Sequence, residues 1–425
     1  MKSDYVILAP DMLPMHFKLI LRVLRNEGYN IELLENNDPT IPETGLKYVH
    51  NDTCYPAILV IGQFLEAIKS GKYDPDKTAL IMFQTGGGCR ASNYISLIRK
   101  ALAKSGYGHI PVISFSLSDL EKHPGWKLSF PLVRKLLYVV LYADIIKLLM
   151  NQCIPYEINK SDSLKKSEEL MQYLTNGIAD RTLISYREIK KNFIYIIKEF
   201  AAIPLKREKK IKVGIVGEIF VKYSPLGNNN LEEFLQNEGA EVVMPGLLDF
   251  CLYSVYNVLV DHKLYGTNKL LKHVYGFMFD FLIKKQKDVI DLINTYSDFE
   301  PPTPFHKVIS LCDGVINVGV KMGEGWLLTA EMLELYDQNV KNIVCAQPFG
   351  CLPNHICGKG MMKPLKESRP DINIVAIDYD ASASRVNQEN RIKLMLSNAR
   401  QASGIKHSSQ KEEVPKESEE VLSVK

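Results

Sequence analysis

The stretch Ala79-Leu-Ile-Met-Phe-Gln-Thr-Gly-Gly-Gly-Cys-Arg90 indicates the fold class of this chain more clearly than any other part of its sequence. It joins a short apolar run to a break of small residues, and the helical apolar spacing of Ser92–Ala103 follows. A strand, a tight turn and a helix in that order are typical of a parallel α/β sheet. The same alternation extends back to a strand at Tyr5–Ala9 and forward to one at Pro111–Ser116. The sequence therefore predicts a parallel sheet with helices on both faces.

A second series of strands and helices follows a long helical segment, so the sequence predicts two Rossmann-like α/β units with helical insertions that face each other across a cleft. The helical segment covers residues 131–200, and a basic linker at 206–210 precedes the second series. The strands predicted in that series lie at residues 211–216, 240–244, 314–318, 342–346 and 373–377. We predict an N-terminal domain over residues 1–205, a C-terminal domain over 206–402 and a disordered tail over 403–425.

The composition is that of an ordinary globular protein rather than one specialised for nucleic acid or membranes. Of the 425 residues 46% are hydrophobic and 24% are charged, and the formal net charge of +3 is small and dispersed. The N-terminus lacks the apolar core of a signal peptide. The longest apolar stretch, Leu136–Met150, contains Asp144 and Lys147 and is too short for a bilayer. We therefore expect a cytoplasmic protein whose eight cysteines are free thiols, metal ligands or catalytic groups.

Three cysteines, Cys54, Cys89 and Cys351, each lie at a turn that leads into a helix. In a parallel sheet such turns gather at one edge, where ligands bind. Three thiolates in a reducing compartment suggest an iron–sulfur cluster with one iron left open as a Lewis acid. The glycines that would let backbone N–H groups approach the sulfides are Gly86, Gly87 and Gly88. The spacing alone fits small buried hydrophobic residues equally well, because no CxxC pair is present.

The other cysteines divide into a candidate ligand and core residues. Cys357 lies six residues after Cys351 and is the leading candidate for an additional ligand. Cys251, Cys312 and Cys345 lie in apolar runs, which favours core packing. Cys153 precedes a break between helices, and its sequence context leaves both roles open.

Polar residues in three loops are candidates for catalysis. Glu218 and Glu324 follow predicted strands and could orient a substrate or shuttle a proton, whereas helix capping explains either one alone equally well. His355 is a candidate proton relay, although packing at a helix start explains it equally well. The glycine-rich turns match neither the P-loop nor the dinucleotide-binding pattern, so the sequence predicts no nucleotide bound by this chain.

Five longer motifs together resemble one family. They are Asn51–Pro56, Gln84–Tyr94, Gly217–Lys222, Gln347–His355 and Ile377–Arg391. The chain resembles the dehydratase-like part of the acyl-CoA dehydratase activase-related proteins, within the 2-hydroxyacyl-CoA dehydratase superfamily. The resemblance covers about residues 1–400, and it favours the interpretation of the three cysteines as ligands of an iron–sulfur cluster.

The resemblance implies a fold, a cofactor and a partner. In that superfamily two Rossmann-like domains hold a [4Fe-4S] cluster in their cleft through three cysteines, and the matching positions are Cys54, Cys89 and Cys351. An activase of actin-like fold delivers a low-potential electron at the expense of ATP, and the substrate thioester loses its 2-hydroxyl by radical chemistry. Related members are reductases with a double-cubane [8Fe-9S] cluster and more cysteine ligands. No nucleotide-binding segment accompanies this sequence, so we expect the activase to be a separate protein.

These implications leave three classes of function. The first is a lyase of the 2-hydroxyacyl-CoA dehydratase type acting on an acyl-CoA, as a homodimer or with a related subunit. The second is an ATP-driven iron–sulfur reductase of a small molecule that is not a CoA ester, and the third is a non-catalytic electron-transfer subunit. For all three, an electron donor would dock near the cluster, and Arg90 and Lys359 are either its contacts or plain surface charges.

Overall fold

The chain folds into a mixed α/β structure with two parallel sheets of four strands each. The computed structural model describes residues 4–83, 88–115, 129–179, 185–267 and 269–404. The first sheet contains β1 (Val6–Pro10), β2 (Ile31–Leu34), β3 (Thr78–Phe83) and β4 (Val112–Phe115) in the order β2-β1-β3-β4. The second contains β5 (Lys212–Gly217), β6 (Glu241–Val243), β7 (Asn342–Pro348) and β8 (Asn373–Tyr379) in the order β6-β5-β7-β8. The predicted parallel α/β class is thereby confirmed.

Helices flank both sheets and fill the segment between them. In the first half they are α1 (Pro14–Asn26), α2 (Ile41–Tyr48), α3 (Tyr55–Lys69), α4 (Tyr94–Lys104), α5 (Phe130–Cys153), α6 (Asp162–Ala179) and α7 (Tyr186–Ala201). In the second half they are α8 (Ile219–Tyr223), α9 (Pro225–Asn228), α10 (Leu231–Asn237), α11 (Leu247–Tyr265), α12 (Lys269–Tyr296), α13 (Phe305–Leu311), α14 (Trp326–Asp337), α15 (Met362–Ser368) and α16 (Arg385–Ser403). Short 3₁₀ turns lie at Pro75–Lys77, Arg90–Asn93 and Lys359–Met361, and a π-helical turn lies at Asn354–Gly358. Three helices, α5 to α7, thus account for the long helical segment predicted between the sheets.

One predicted strand is wrong. Residues 314–318 form turns, because the N–H groups of Val315 and Ile316 both donate to the Cys312 carbonyl at 2.9 and 3.0 Å. The Asn317 side chain then accepts from the Gly319 N–H at 2.7 Å. These local hydrogen bonds use the groups that a strand would offer to a neighbour.

The last helix, α16, continues to Ser403, and Gly404 follows it in a left-handed conformation. Residues 405–425, most of the predicted disordered tail, lie outside the described residues.

Two large hydrophobic cores lie on opposite faces of the first sheet. The side chains of Ile7 and Leu8 are both fully buried in β1 and point into different cores, as alternation along a strand requires. The first core joins residues such as Phe193 of α7 to Trp326 of α14. The second joins residues of α3 and α4 to residues such as Leu396 of α16. Each core therefore contains side chains from both halves of the chain.

Asp144, an acidic residue inside the mostly apolar helix α5, binds the start of the helix α11. The Asp144 carboxylate accepts hydrogen bonds from the N–H groups of Leu247 and Leu248 at the start of α11, at 2.8 and 2.9 Å, and it contacts the His16 ring at 2.7 Å. It therefore caps a helix that lies about a hundred residues away in sequence. None of the described helices is long and apolar enough to span a membrane.

Candidate metal centre

Cys54 lies at the start of α3, where the second sheet approaches the first. It precedes the first turn of that helix. Pro56 lies in that turn, where backbone N–H groups have no partner within the helix, and proline has no N–H group to satisfy. The Tyr55 N–H donates to the Phe349 carbonyl beyond β7 at 3.3 Å. The buried sulfur of Cys54 lies 3.2 Å from the hydroxyl oxygen of Tyr94. The helix start is thus fixed both to the loop after β7 and to α4.

Cys89 lies just before the 3₁₀ turn Arg90–Asn93 and is partly exposed. A loop of the second half covers it. The Gly88 N–H donates to the Met322 sulfur at 3.2 Å, and a Cβ atom added at Gly323 would lie 3.7 Å from the Cys89 sulfur. A side chain at Gly323 would therefore collide with the Pro353 ring and also contact that thiol.

Cys351 follows the turn after β7 and is buried. A Cβ atom added at the preceding Gly350 would lie 3.8 Å from the Cα of Cys54. The side-chain amide of Asn354 donates to the Cys351 sulfur at 3.6 Å. Cys54, Cys89 and Cys351 are therefore brought to one region, in which Cys54 is close enough to interact electrostatically with each of the other two.

Burial and nearby negative charges in this region favour the neutral form of the three cysteine thiols. Burial, followed by the negative charge of Glu218, raises the pKa of Cys54 to about 12. Burial also raises the pKa of Cys351, with Glu324 and Glu218 adding to it, and the same causes raise the pKa of Cys89. Thiolates at these positions need a nearby positive charge, which a bound metal supplies.

Two glutamates stand beside the cysteines, and both are buried. Glu218 precedes α8, and its Oε2 accepts from the Val221 N–H at 2.9 Å. The Oε1 atom of Glu324 accepts from the Ile219 N–H of the same helix, also at 2.9 Å. Burial and the charge of Glu324 raise the pKa of Glu218 to about 8, and burial raises that of Glu324. Both residues cap α8, and the pair can also hold a proton near neutral pH.

His355 and Cys357 lie shortly after Cys351, in the π-helical turn Asn354–Gly358. The exposed His355 ring contacts the Cys351 carbonyl at 2.9 Å and the Gln347 side-chain amide at 3.0 Å. Cys357 is buried, and its carbonyl accepts from the Thr329 hydroxyl at 2.7 Å. Burial and the charge of Glu324 raise the pKa of Cys357 to about 11, so its thiol lies in the same electrostatic neighbourhood.

The remaining candidates divide between core positions and undescribed ones. Gly86 and Gly87 lie outside the described residues, and Gly88 is exposed. Cys153, Cys312 and Cys345 are buried among apolar side chains, while Cys251 is half-buried. All eight cysteines are free thiols.

Sequence reasoning missed several residues that shape the site. Lys222 and Glu331 form a buried ion pair at 2.8 Å, in which both side chains are almost fully enclosed. Tyr94 and Asn354 each contact one of the three cysteine sulfurs. Lys222, Tyr94 and Asn354 all lie inside the motifs that carry the family resemblance, so membership of those motifs was the available signal.

Among the described residues, no three His, Cys, Asp or Glu side chains are arranged closely enough to hold one metal ion.

Comparison with known proteins adds no assignment: no protein-family model matches the chain, and no curated protein shows significant similarity to it.

Proposed function

We propose that the chain is an iron–sulfur protein related to the subunits of 2-hydroxyacyl-CoA dehydratases. In this proposal two Rossmann-like units face each other across a cleft, and Cys54, Cys89 and Cys351 hold a [4Fe-4S] cluster between them. The observation that supports it is the convergence of these three cysteines beside two buried carboxyl groups. The substrate class in this proposal is an acyl-CoA, and the reaction is a dehydration by a lyase.

The chain's own residues have definable tasks in this proposal. Tyr94 and Asn354 orient the sulfurs of Cys54 and Cys351 through hydrogen bonds, and such contacts help to set a reduction potential. When bound, the cluster supplies low-potential electrons and an iron that acts as a Lewis acid. The buried carboxyl of Glu218 holds a proton near neutral pH and is a donor or acceptor for the departing hydroxyl.

The electrons come from outside in this proposal. The sequence has no recognisable motif for nucleotide or flavin binding, so an ATP-dependent activase of actin-like fold is the expected donor. The cytoplasm is the compartment that suits eight free thiols and a low-potential cluster.

A second candidate is supported by Cys357. This buried thiol shares the neighbourhood of Glu324 with Cys89 and Cys351, which makes a fourth thiolate ligand available. A larger ligand set favours the double-cubane reductases, which act with an activase on small molecules that are not CoA esters.

Anaerobic cluster reconstitution tests the proposal. We expect a brown protein with about four irons per chain if one cubane is bound, and about eight if the cluster is double. Serine in place of Cys54, Cys89 or Cys351 should each lower the iron and sulfide content by at least about half, because a neutral hydroxyl replaces a thiolate. Iron analysis and the electron paramagnetic resonance of the reduced protein give the readout.

Cys312→Ser is the matched control, because Cys312 is a buried cysteine at the end of α13 whose sulfur donates to the Val308 carbonyl. It should cost packing energy and leave the iron content unchanged. Colourless, iron-free wild-type protein after reconstitution would disprove the cluster. Cys357→Ser separates the two candidates, since it should matter for a double cluster and leave a single cubane intact.

A further inference from the structure

A cavity of about 260 Å³ lies between the two halves of the chain, and its described lining includes none of the cysteines. Its long walls are α5 and β6, which run antiparallel. Asp144 of α5 binds the Leu247 N–H just beyond β6, whereas Tyr156, just beyond α5, donates to Glu241 in β6 at 2.6 Å. The cavity thus follows the face of α5 from Asp144 to Asn151, a helical distance of about 10 Å.

Most of the cavity wall is aliphatic. Leu141, Ile145 and Leu148 line it from α5, and Val289 and Pro301 line it as well. Aliphatic walls favour contact with the apolar part of a small ligand, and a few polar groups then fix the orientation of that ligand.

Two acceptor atoms in the wall have no donor among the described residues. Asn151 is only 4% exposed, and its side-chain carbonyl oxygen is unpartnered. Glu232 binds the Lys147 ammonium at 2.6 Å through one carboxylate oxygen, while its other oxygen is buried and unpartnered. Lys147 lies one helical turn before Asn151, so the two acceptors lie at the same part of the cavity. A buried acceptor without a donor costs free energy, which a donor on a ligand would recover.

The other end of the cavity is acidic as well. Asp249 and Glu334 are both buried there, and the Gln286 amide donates to Asp249 at 3.0 Å. Burial and the charge of Glu334 raise the pKa of Asp249, and burial and the charge of Glu331 raise that of Glu334 to about 7. The carboxyl groups that line the cavity are Asp144, Glu232, Glu241, Asp249, Glu300 and Glu334, and the basic residues that pair with them are His16, Lys147 and Lys212. The excess of acceptors selects a cation.

We propose that this cavity binds a small aliphatic amine whose ammonium group donates to Asn151 and Glu232 while its methylene chain packs along α5. In a diamine, the second ammonium group would reach Asp249 and Glu334 at the other end. The site is independent of the cysteines and of the reaction proposed for them.

Isothermal titration calorimetry and thermal unfolding of the full chain test the site with 1,5-diaminopentane, n-butylamine and the uncharged 1,5-pentanediol. We expect saturable binding of one diamine per chain, a raised unfolding temperature, weaker binding of the monoamine and none of the diol. Glu232→Gln and Asn151→Leu should each weaken diamine binding about tenfold or more, because each removes an acceptor for a charged donor.

Glu233→Gln is the matched control, since Glu233 is the exposed neighbour of Glu232 on α10 and lies outside the cavity lining. It should bind the diamine as the wild type does. Circular dichroism of each ligand-free variant shows whether it folds. If either Glu232→Gln or Asn151→Leu fails to fold, the other of these two variants provides the test. Equal binding of the diol, unchanged affinity in folded Glu232→Gln and Asn151→Leu, or absence of amine binding up to millimolar concentration would each overturn the proposal. Displacement of the diamine by equimolar Mg²⁺ would also overturn it, in favour of an inorganic cation.

Discussion

At the scale of single residues, the carboxyl of Asp11 is placed where ionisation is costly. Asp11 directly follows β1, and its backbone carbonyl accepts from the Ser224 hydroxyl of the second half at 3.3 Å. Its buried Oδ1 atom has no hydrogen-bond donor among the described residues. Burial and the nearby charge of Glu35 raise its pKa to about 7. The residue lies at the carboxyl edge of the first sheet, which makes it a titrating group at the boundary of the two halves.

Asp11→Asn should therefore change how stability depends on pH. Below pH 4 the aspartate is neutral in both the folded and the unfolded chain and costs nothing. As the pH rises from about 4 to 7 only the unfolded chain ionises, so the wild type loses stability, and above pH 7 the penalty is constant. The variant lacks this loss, and its free energy of unfolding should exceed that of the wild type by on the order of 2 kcal/mol at pH 8.

Chemical denaturation of both proteins at pH 4 and pH 8 measures this difference. Asp313→Asn, at an exposed position, is the control and should show no pH-dependent gain. A difference between Asp11→Asn and the wild type that is equal at the two pH values would contradict the assignment.

The sequence was most informative about the site where local context was sufficient. A cysteine after a turn and before a helix start can be recognised from about ten neighbouring residues, and Cys54, Cys89 and Cys351 were identified in this way. The residues that orient these cysteines could not be identified from local context, because each contacts a partner that is distant in sequence. Tyr94 lies forty residues from Cys54, and Lys222 lies 109 residues from Glu331. Only the fold determines such pairs.

At the scale of elements, the turn from β5 into α8 depends on one glycine. Gly217 ends β5 with a φ of +142°, a conformation that side chains other than glycine rarely adopt. An added Cβ atom would collide with the backbone oxygen of Ala346 in the neighbouring strand β7. The next residue is Glu218, so this close contact between the strands also positions a carboxyl of the candidate site.

Gly217→Ala should destabilise the fold by about 2–4 kcal/mol, because the collision adds to the backbone strain. Gly276→Ala provides the comparison, since Gly276 lies inside the helix α12 with open space around its Cα. There alanine should be neutral or stabilising by up to about 1 kcal/mol, as its helix propensity is higher. Equal unfolding midpoints for the two variants in urea would show that the close approach at Gly217 is tolerated.

Prediction of the elements succeeded where apolar runs were continuous and failed where polar turns interrupted them. The strands β5, β7 and β8 were expected within two residues of their observed limits, because buried parallel strands are apolar throughout. Residues 314–318 have a comparable apolar content but include Gly314 and Asn317, whose turn-forming tendency prevails. The helix expected over Ser92–Ala103 is α4, whose observed limits differ from the expected ones by two residues at most.

At the scale of the whole molecule, the proposed electron donor needs a docking face close to the cysteines. Arg90 and Lys359 are both exposed there. Arg90 also donates to the carbonyl of Asp52 in the loop before α3, so its replacement would disturb that loop. Lys359 makes a long contact of 3.4 Å with the Asp378 side chain and holds no backbone carbonyl among the described residues, which makes it the cleaner test.

Charge reversal in Lys359→Glu should slow ATP-dependent reduction of the cluster by about tenfold at low salt, and less at high salt, because rim charges act mainly on association rates. Arg90→Glu should act in the same direction. Stopped-flow absorbance with the activase measures the rate, and iron content should equal that of the wild type. Lys287→Glu, which breaks a similarly exposed lysine–aspartate pair on α12, is the control. If the rates of Lys359→Glu and Lys287→Glu agree, the docking face lies elsewhere.

The cores shared between the two halves have a consequence for the way the protein comes apart. The linker at residues 206–210 is exposed and rich in lysine and arginine, so trypsin has access to it. Cutting there would remove one covalent connection but none of the contacts by which Ile7 and Trp326, or Leu8 and Leu396, belong to the same cores. The nicked fragments should therefore remain together as a single cooperative unit with one melting transition. Either fragment expressed without the other would expose half of two interiors and should aggregate.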